Sequence, residues 1–144
     1  MSRPMFEKIL IAHDGSDGAQ KAFDVAVKLA ARLQTRLHMI SVEEDLPKHA
    51  ETIGEIEEEK EIEDSYFGQL AAQSKRRAAL HAVDLDCTVL PGHEVKTIVE
   101  FIRERRFDLL VIGFTGHSRI YEHIWGGTSH NLTSLAPCSV LVIK

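Results

Sequence analysis

The stretch LLVIG, residues 109–113, decides the fold class of this chain. Four apolar residues follow one another without polar alternation, which is typical of a parallel strand covered on both faces. Gly113 then ends the run. Since a strand buried on both faces needs helices on both sides of its sheet, the stretch predicts an α/β fold.

Strand and helix patterns alternate outward from this stretch. KILIAH (residues 8–13) is an apolar run ending in the turn signal DGS, and Ser16 or Asp17 begins a helix with apolar residues at helical spacing as far as Leu33. The other predicted strands are residues 37–42, 85–89 and 139–143, and the other predicted helices lie at 95–106, at 129–135 and within 45–82. Gly54 and Gly68 leave open whether that last helix is continuous. Five strands alternating with four helices predict a doubly wound, Rossmann-like parallel sheet.

The composition is that of one globular domain. With 144 residues, 44% apolar and 27% charged, we expect a single domain over residues 1–144. Cys87 and Cys138 are too few for a disulfide framework. The sequence has no signal-peptide pattern and no apolar run suited to a membrane helix. We therefore expect a cytoplasmic protein with reduced cysteines and no membrane partner.

The net charge of −5 is unevenly distributed. Between Glu43 and Asp64 lie 11 of the 22 acidic residues and two lysines, and we interpret the acidic segment 45–65 as a solvated helix face. The rest of the chain carries 15 basic and 11 acidic residues. A nucleic-acid-binding surface usually has a dense basic stripe, so we expect no nucleic-acid partner.

The segment GFTGHSRIYEHIWGGTS, residues 113–129, carries the chemistry. Glycines let backbone N–H groups approach phosphate oxygens closely, and the N-terminus of a helix attracts anions. Thr128 and Ser129 add hydroxyl groups at the start of the predicted helix. In a doubly wound sheet this segment lies at the carboxyl ends of the strands, where ligands bind. The alternative is that the glycines only end a strand and that Ser or Thr only caps a helix.

These motifs resemble those of the universal stress protein family. Its nucleotide-binding members carry Gly-x2-Gly-x9-Gly-(Ser/Thr) after the fourth strand, matched here by Gly113, Gly116 and Gly126. They also carry an Asp after the first strand and a Val at the end of the second, matched by Asp14 and Val42. The ending LAPCSVLVIK is also similar to the usual ending in the family, and the resemblance covers essentially the whole chain.

The resemblance implies the strand order 3-2-1-4-5, a homodimer through the C-terminal strand, and binding of ATP with Mg²⁺. In such proteins adenine lies near the turn after the first strand, and the phosphates lie along the glycine loop. The implied metal contact is Asp14, through water. The implied nucleotide-binding residues are Ala12, His13, Asp14, Val42, Ile112, Gly113, Gly116, Arg119, Gly126, Gly127, Thr128 and Ser129.

One position departs from the family pattern. Gly127 stands where Ser or Thr follows the third glycine, so either one hydroxyl is lost or Gly127 and Thr128 act as the pair. We expect a dimeric stress-response regulator or nucleotide sensor rather than an enzyme; slow ATP hydrolysis or autophosphorylation is the alternative left open. The chain has neither GxxxxGK[ST] nor a GxGxxG after the first strand. The alternative is an interaction dimer of the same fold that binds no nucleotide.

Overall fold

Strands and helices alternate along the chain in a computed structural model that describes residues 5–44, 53–114 and 127–144, with the backbone alone for 53–65. These residues form β1 (Ile9–Ala12), α1 (Asp17–Leu33), β2 (Leu37–Glu43), α2 (Ile53–Ala79), β3 (Leu85–Pro91), α3 (Glu94–Arg105), β4 (Leu109–Gly113), α4 (Gly127–Leu135) and β5 (Ser139–Ile143). All neighbouring strands pair in parallel, in the order β3-β2-β1-β4-β5. The predicted fold class and the implied strand order are both confirmed.

The structure answers the question that the sequence left open for α2 and moves the start of α4. α2 continues through Gly68, because the neighbouring Phe67 and Leu70 are buried against the sheet and their packing offsets the cost of about 1 kcal/mol for a helical glycine. α4 begins at Gly127, two residues earlier than predicted. No helix among the described residues is long and apolar enough to cross a membrane.

The hydrophobic core lies on both faces of the sheet, as the uninterrupted run of apolar residues in β4 requires. In β1, Ile9 and Ile11 pack with Phe23 on the face covered by α1 and α2. Leu10 points to the opposite face and packs with Ile98 of α3 and Leu132 of α4. Successive strand residues alternate between the two faces, so a strand buried on both sides carries no polar position.

The first turn of α1 packs directly against the carboxyl end of β4. A Cβ atom added to Gly113 would lie 2.7 Å from the carbonyl oxygen of Gly18 and 2.8 Å from its carbonyl carbon. Both are backbone atoms that cannot rotate away. Because Gly113 has no side chain, the first turn of α1 can lie in direct contact with the carboxyl end of β4.

We expect Gly113→Ala to lower the free energy of unfolding by about 1–3 kcal/mol, because the added methyl group overpacks against fixed backbone. Gly127→Ala is the matched control, since a Cβ there would meet nothing within 4 Å, and it should change stability by less than about 1 kcal/mol. Urea unfolding without added nucleotide measures both. Equal effects of the two substitutions would contradict the packing role of Gly113.

Candidate functional site

A cleft opens at the carboxyl ends of β1 and β4. Strand β1 has β2 on one side and β4 on the other, so the winding direction of the sheet reverses between β1 and β4. In open α/β sheets this reversal leaves a crevice that binds ligands. The cleft is lined by Ala12, Asp14, Ser16, Ala19, Glu94, Ile112, Gly113, Thr128, Ser129 and Leu132. Six of these were implied from the family resemblance, namely Ala12, Asp14, Ile112, Gly113, Thr128 and Ser129.

The turn after β1 forms one wall of the cleft. One carboxylate oxygen of Asp14 accepts a hydrogen bond from the Ser16 backbone N–H at 2.9 Å. The Ser16 hydroxyl in turn accepts from the Ala19 N–H at 3.2 Å and caps α1. Such local bonds are the reason that Asp and Ser are preferred in turns and at N-caps. They place the Asp14 carboxylate beside the start of α1.

Tyr66 of α2 covers this turn, which the sequence did not indicate. Its hydroxyl donates to the Asp14 carbonyl oxygen at 3.3 Å. Gly15, with φ of +88°, lies against the ring, and a Cβ there would be 1.7 Å from the Tyr66 oxygen. Only glycine fits both the backbone conformation and the space. An aromatic residue within a helical pattern gives no sign that it packs over a turn 52 residues away.

The first turn of α4 forms the opposite wall. The Ser129 hydroxyl is directed at backbone carbonyls, 2.6 Å from that of Gly113 and 3.2 Å from that of Phe114. Ser129 therefore anchors α4 to the end of β4, rather than presenting its hydroxyl proton to the cleft. Thr128 lines the cleft, and the first turn of α4 contains no acidic residue. The partial positive charge at this helix end is therefore not offset by a carboxylate of its own turn.

Glu94, which opens α3, is a cleft residue that sequence reasoning missed. The available signal was its position, because the helix that follows β3 begins at the same edge of a parallel sheet as the helix that follows β1. The cleft consequently combines the carboxylates of Asp14 and Glu94 with the N-terminal ends of α1 and α4. No group of three or more metal-binding side chains occurs among the residues that the structure describes.

Two of the implied nucleotide-binding residues, His13 and Val42, are buried outside the lining of the cleft. The His13 side chain is 2% exposed and packs against Phe23, with ring centroids 5.6 Å apart. Burial lowers the pKa of His13 below its ordinary value, and a hydrogen bond to Gln20 opposes this only in part. Val42 is buried near the end of β2 with the residues of the α3 face.

The remaining implied residues divide between α4 and a part of the chain that is not described. Gly127 is the first residue of α4 and directly precedes the cleft residue Thr128. Gly116, Arg119 and Gly126 lie within 115–126, outside the described residues, as does most of the acidic segment 45–65 apart from the backbone of α2. Their implied roles remain predictions.

Comparison with known proteins agrees with this architecture. A family model, the universal stress protein family, matches residues 5–144. The chain is 30% identical to universal stress protein YxiE of Bacillus subtilis, over 97% of this chain and 100% of the relative. Universal stress protein UspA from Lactobacillus plantarum has a TM-score of 0.89 at 28% identity, with 100% of both chains covered. A universal stress protein solved in complex with cAMP shares the fold at 21% identity, with a TM-score of 0.75 over 96% of this chain and 97% of its own. The chain belongs to the universal stress protein family.

Proposed function

We propose that this chain binds ATP with Mg²⁺ in the cleft between β1 and β4, and that it acts as a nucleotide sensor or regulator with little turnover. The observation that carries the proposal is the convergence of the Asp14 turn, the Gly113 end of β4 and the start of α4 on one crevice. Backbone N–H groups at a helix start, approached over glycine, suit phosphate oxygens.

The phosphates are proposed to lie against the first turn of α4. Gly127 and Thr128 begin this helix, and its first turn has no acidic residue that would repel an anion. Gly116, Arg119 and Gly126 complete the phosphate loop in the proposal, on the strength of the family resemblance. Gly127 retains a backbone N–H where the family pattern has Ser or Thr. We expect that the missing hydroxyl costs about 0.5–1.5 kcal/mol of binding free energy without abolishing the site.

A magnesium ion would be held by Asp14, through water, together with the phosphate oxygens. Mg²⁺ typically binds through one or two carboxylates and substrate phosphates, retaining several waters. The two carboxylates that line the cleft, Asp14 and Glu94, fit this requirement. When bound, the ion would neutralise phosphate charge beside these carboxylates.

The adenine is proposed to lie near the turn after β1 and the end of β2. Ala12 and Ile112 supply apolar lining there, and the backbone of His13 and of Val42 lies at the carboxyl ends of β1 and β2. A universal stress protein of the same fold has been solved with cAMP, which is also an adenine nucleotide. This supports an adenine nucleotide as the ligand class.

We further propose a homodimer that pairs through β5. This strand is at the end of the sheet order, with β4 as its partner among the described residues. Leu141 in β5 is 36% exposed. An edge strand with exposed apolar residues is suited to pairing with a second copy.

The second candidate function is an interaction dimer that binds no nucleotide. The observation that favours it is Gly127, which stands where the family pattern has a residue with a hydroxyl group.

Titration calorimetry of nucleotide-stripped protein with ATP, with and without Mg²⁺, tests the proposed function. We expect about one ATP per chain, with a dissociation constant of about 1 μM or lower. ADP, AMP and cAMP titrated in parallel identify the preferred nucleotide, and release of phosphate measures turnover. Absence of binding, repeated by competition, would contradict the proposal and favour the nucleotide-free dimer.

Asp14→Asn tests the magnesium role of the carboxylate. Asparagine keeps an oxygen that accepts from the Ser16 N–H but removes the charge. We therefore expect about tenfold weaker binding of Mg-ATP, equivalent to about 1.4 kcal/mol, and less than about threefold change for ATP without metal. Asp17→Asn is the control, because Asp17 is an exposed carboxylate in the first turn of α1 outside the cleft lining. Equal losses of Asp14→Asn with and without Mg²⁺ would rule out the metal role.

A further inference from the structure

A series of hydrogen bonds runs from the cleft turn through the buried histidine to the surface of α2. The Gly15 backbone N–H donates to Nδ1 of His13 at 3.0 Å. Nε2 of His13 lies 3.3 Å from Oε1 of Gln20, and Nε2 of Gln20 donates to Asp24 at 3.2 Å. Arg77 of α2 donates to both carboxylate oxygens of Asp24 at 3.0 Å. We call this series the His13 relay.

Arg77 and Asp24, at the outer end of the relay, determine the direction of the hydrogen bonds from Asp24 through Gln20 to His13. A guanidinium only donates and an ionised carboxylate only accepts, so Asp24 must receive bonds from both Arg77 and the Gln20 amide group. The Gln20 amide nitrogen is thereby turned toward Asp24, and its oxygen faces His13. A glutamine oxygen only accepts, so Nε2 of His13 must carry the proton.

The inner end requires the same tautomer independently. The Gly15 N–H is a donor whose direction is set by the backbone, so Nδ1 of His13 must be unprotonated to accept from it. An Nδ1 that accepts and an Nε2 that donates are the two roles of one neutral imidazole tautomer, so both ends of the relay specify the same form of the ring.

The geometry points to His13, Gln20 and Asp24 as positioning residues. We propose that the ion pair between Asp24 of α1 and Arg77 of α2 selects the Nε2–H tautomer of His13, and that this tautomer holds Gly15 and the turn that carries Asp14 in place. Tyr66 supports the same turn from the other side by donating to the Asp14 carbonyl oxygen. The consequence for ligand affinity rests on the proposed nucleotide site, whereas the consequence for the turn does not.

The decisive variant exchanges the ion pair, Asp24→Arg with Arg77→Asp. It keeps the net charge and an Arg–Asp pair but presents donors to Gln20 in place of acceptors. Gln20 would then turn its oxygen outward and its amide group toward His13, which favours the Nδ1–H tautomer and opposes the Gly15 N–H. Gln20→Leu is a second, smaller change that interrupts the relay if the exchanged pair does not fold.

The same exchange at a second exposed pair is the matched control. Arg36 and Asp86 lie 3.0 Å apart with side chains 70% and 54% exposed, whereas the Arg77–Asp24 pair has 53% and 39% exposed at the same distance. Arg36 and Asp86 lie at the amino ends of β2 and β3, at the edge of the sheet opposite the cleft. Arg36→Asp with Asp86→Arg should leave the His13 ring, the Gly15 amide and nucleotide affinity unchanged.

Nitrogen NMR of histidine-labelled protein at about pH 8, above the ordinary histidine pKa, gives the tautomer. His13→Asn identifies the His13 signals among the eight histidines. We expect the Nε2–H form in the unaltered protein and a gain of the Nδ1–H form with the exchanged ion pair. Gln20→Leu should keep the Nε2–H form, because the Gly15 N–H still requires a free Nδ1, but it removes the bond that fixes the other ring nitrogen and should loosen the ring and the Gly15 bond. Losing the Gly15 bond should accelerate exchange of that amide hydrogen about tenfold and weaken ATP binding about tenfold.

An unchanged tautomer with the exchanged ion pair, or unchanged exchange of the Gly15 amide hydrogen in Gln20→Leu, would overturn the proposal. Equal changes in the control pair Arg36 and Asp86 would overturn it as well. If the His13 tautomer and the exchange of the Gly15 amide hydrogen change while the ATP affinity does not, the relay does not position the turn for ligand binding. If the unaltered protein binds no nucleotide, the proposed function fails by itself. The ring and amide measurements then still decide whether the relay holds the turn.

Discussion

The contact between the first turn of α1 and the carboxyl end of β4 is the constraint on which the candidate site depends. Gly113 lies so close to Gly18 that a single methyl group would meet backbone atoms at 2.7 Å. This approach brings the turn after β1 to the edge where α4 begins, and Ser129 anchors α4 to the same strand end. Backbone atoms from elements more than 90 residues apart thus line one crevice.

Charge in this crevice is arranged in two opposed parts. Asp14 and Glu94 contribute carboxylates, whereas the start of α4, whose first turn has no acidic residue, contributes partial positive charge. An anion alone would be attracted by this helix end and repelled by the carboxylates. A phosphate bound together with a divalent cation would satisfy both parts, because Mg²⁺ binds to carboxylates and phosphate oxygens together. This electrostatic argument supports the proposal of Mg-ATP rather than the free nucleotide.

His13 illustrates how a buried polar side chain supports a neighbouring residue of the cleft. Burying an imidazole without partners is unfavourable, and here Gly15 and Gln20 supply partners for both ring nitrogens. Because each partner accepts or donates in one direction only, the network has one low-energy arrangement of protons. The turn that carries Asp14 is held between this network and Tyr66. His13 and Tyr66 do not line the cleft, but in the proposal they fix the position of Asp14, which does.

The family resemblance implied six of the residues that line the cleft, whereas the sequence by itself determined the element order, the class of sheet and the edge of the sheet at which the cleft lies. It could do so because burial on both faces requires apolar runs, and because glycines and helix starts after parallel strands fall at one edge of the sheet. Only the tertiary structure decided that His13 faces the core, that Tyr66 covers the turn and that the Ser129 hydroxyl bonds to backbone. These depend on side-chain direction and on contacts between distant segments, which local periodicity does not encode. The position of Glu94 at the start of the helix after β3 was enough to predict that it lies at the cleft. The His13 relay could not be predicted from the sequence, because it depends on the packing of α2 against α1.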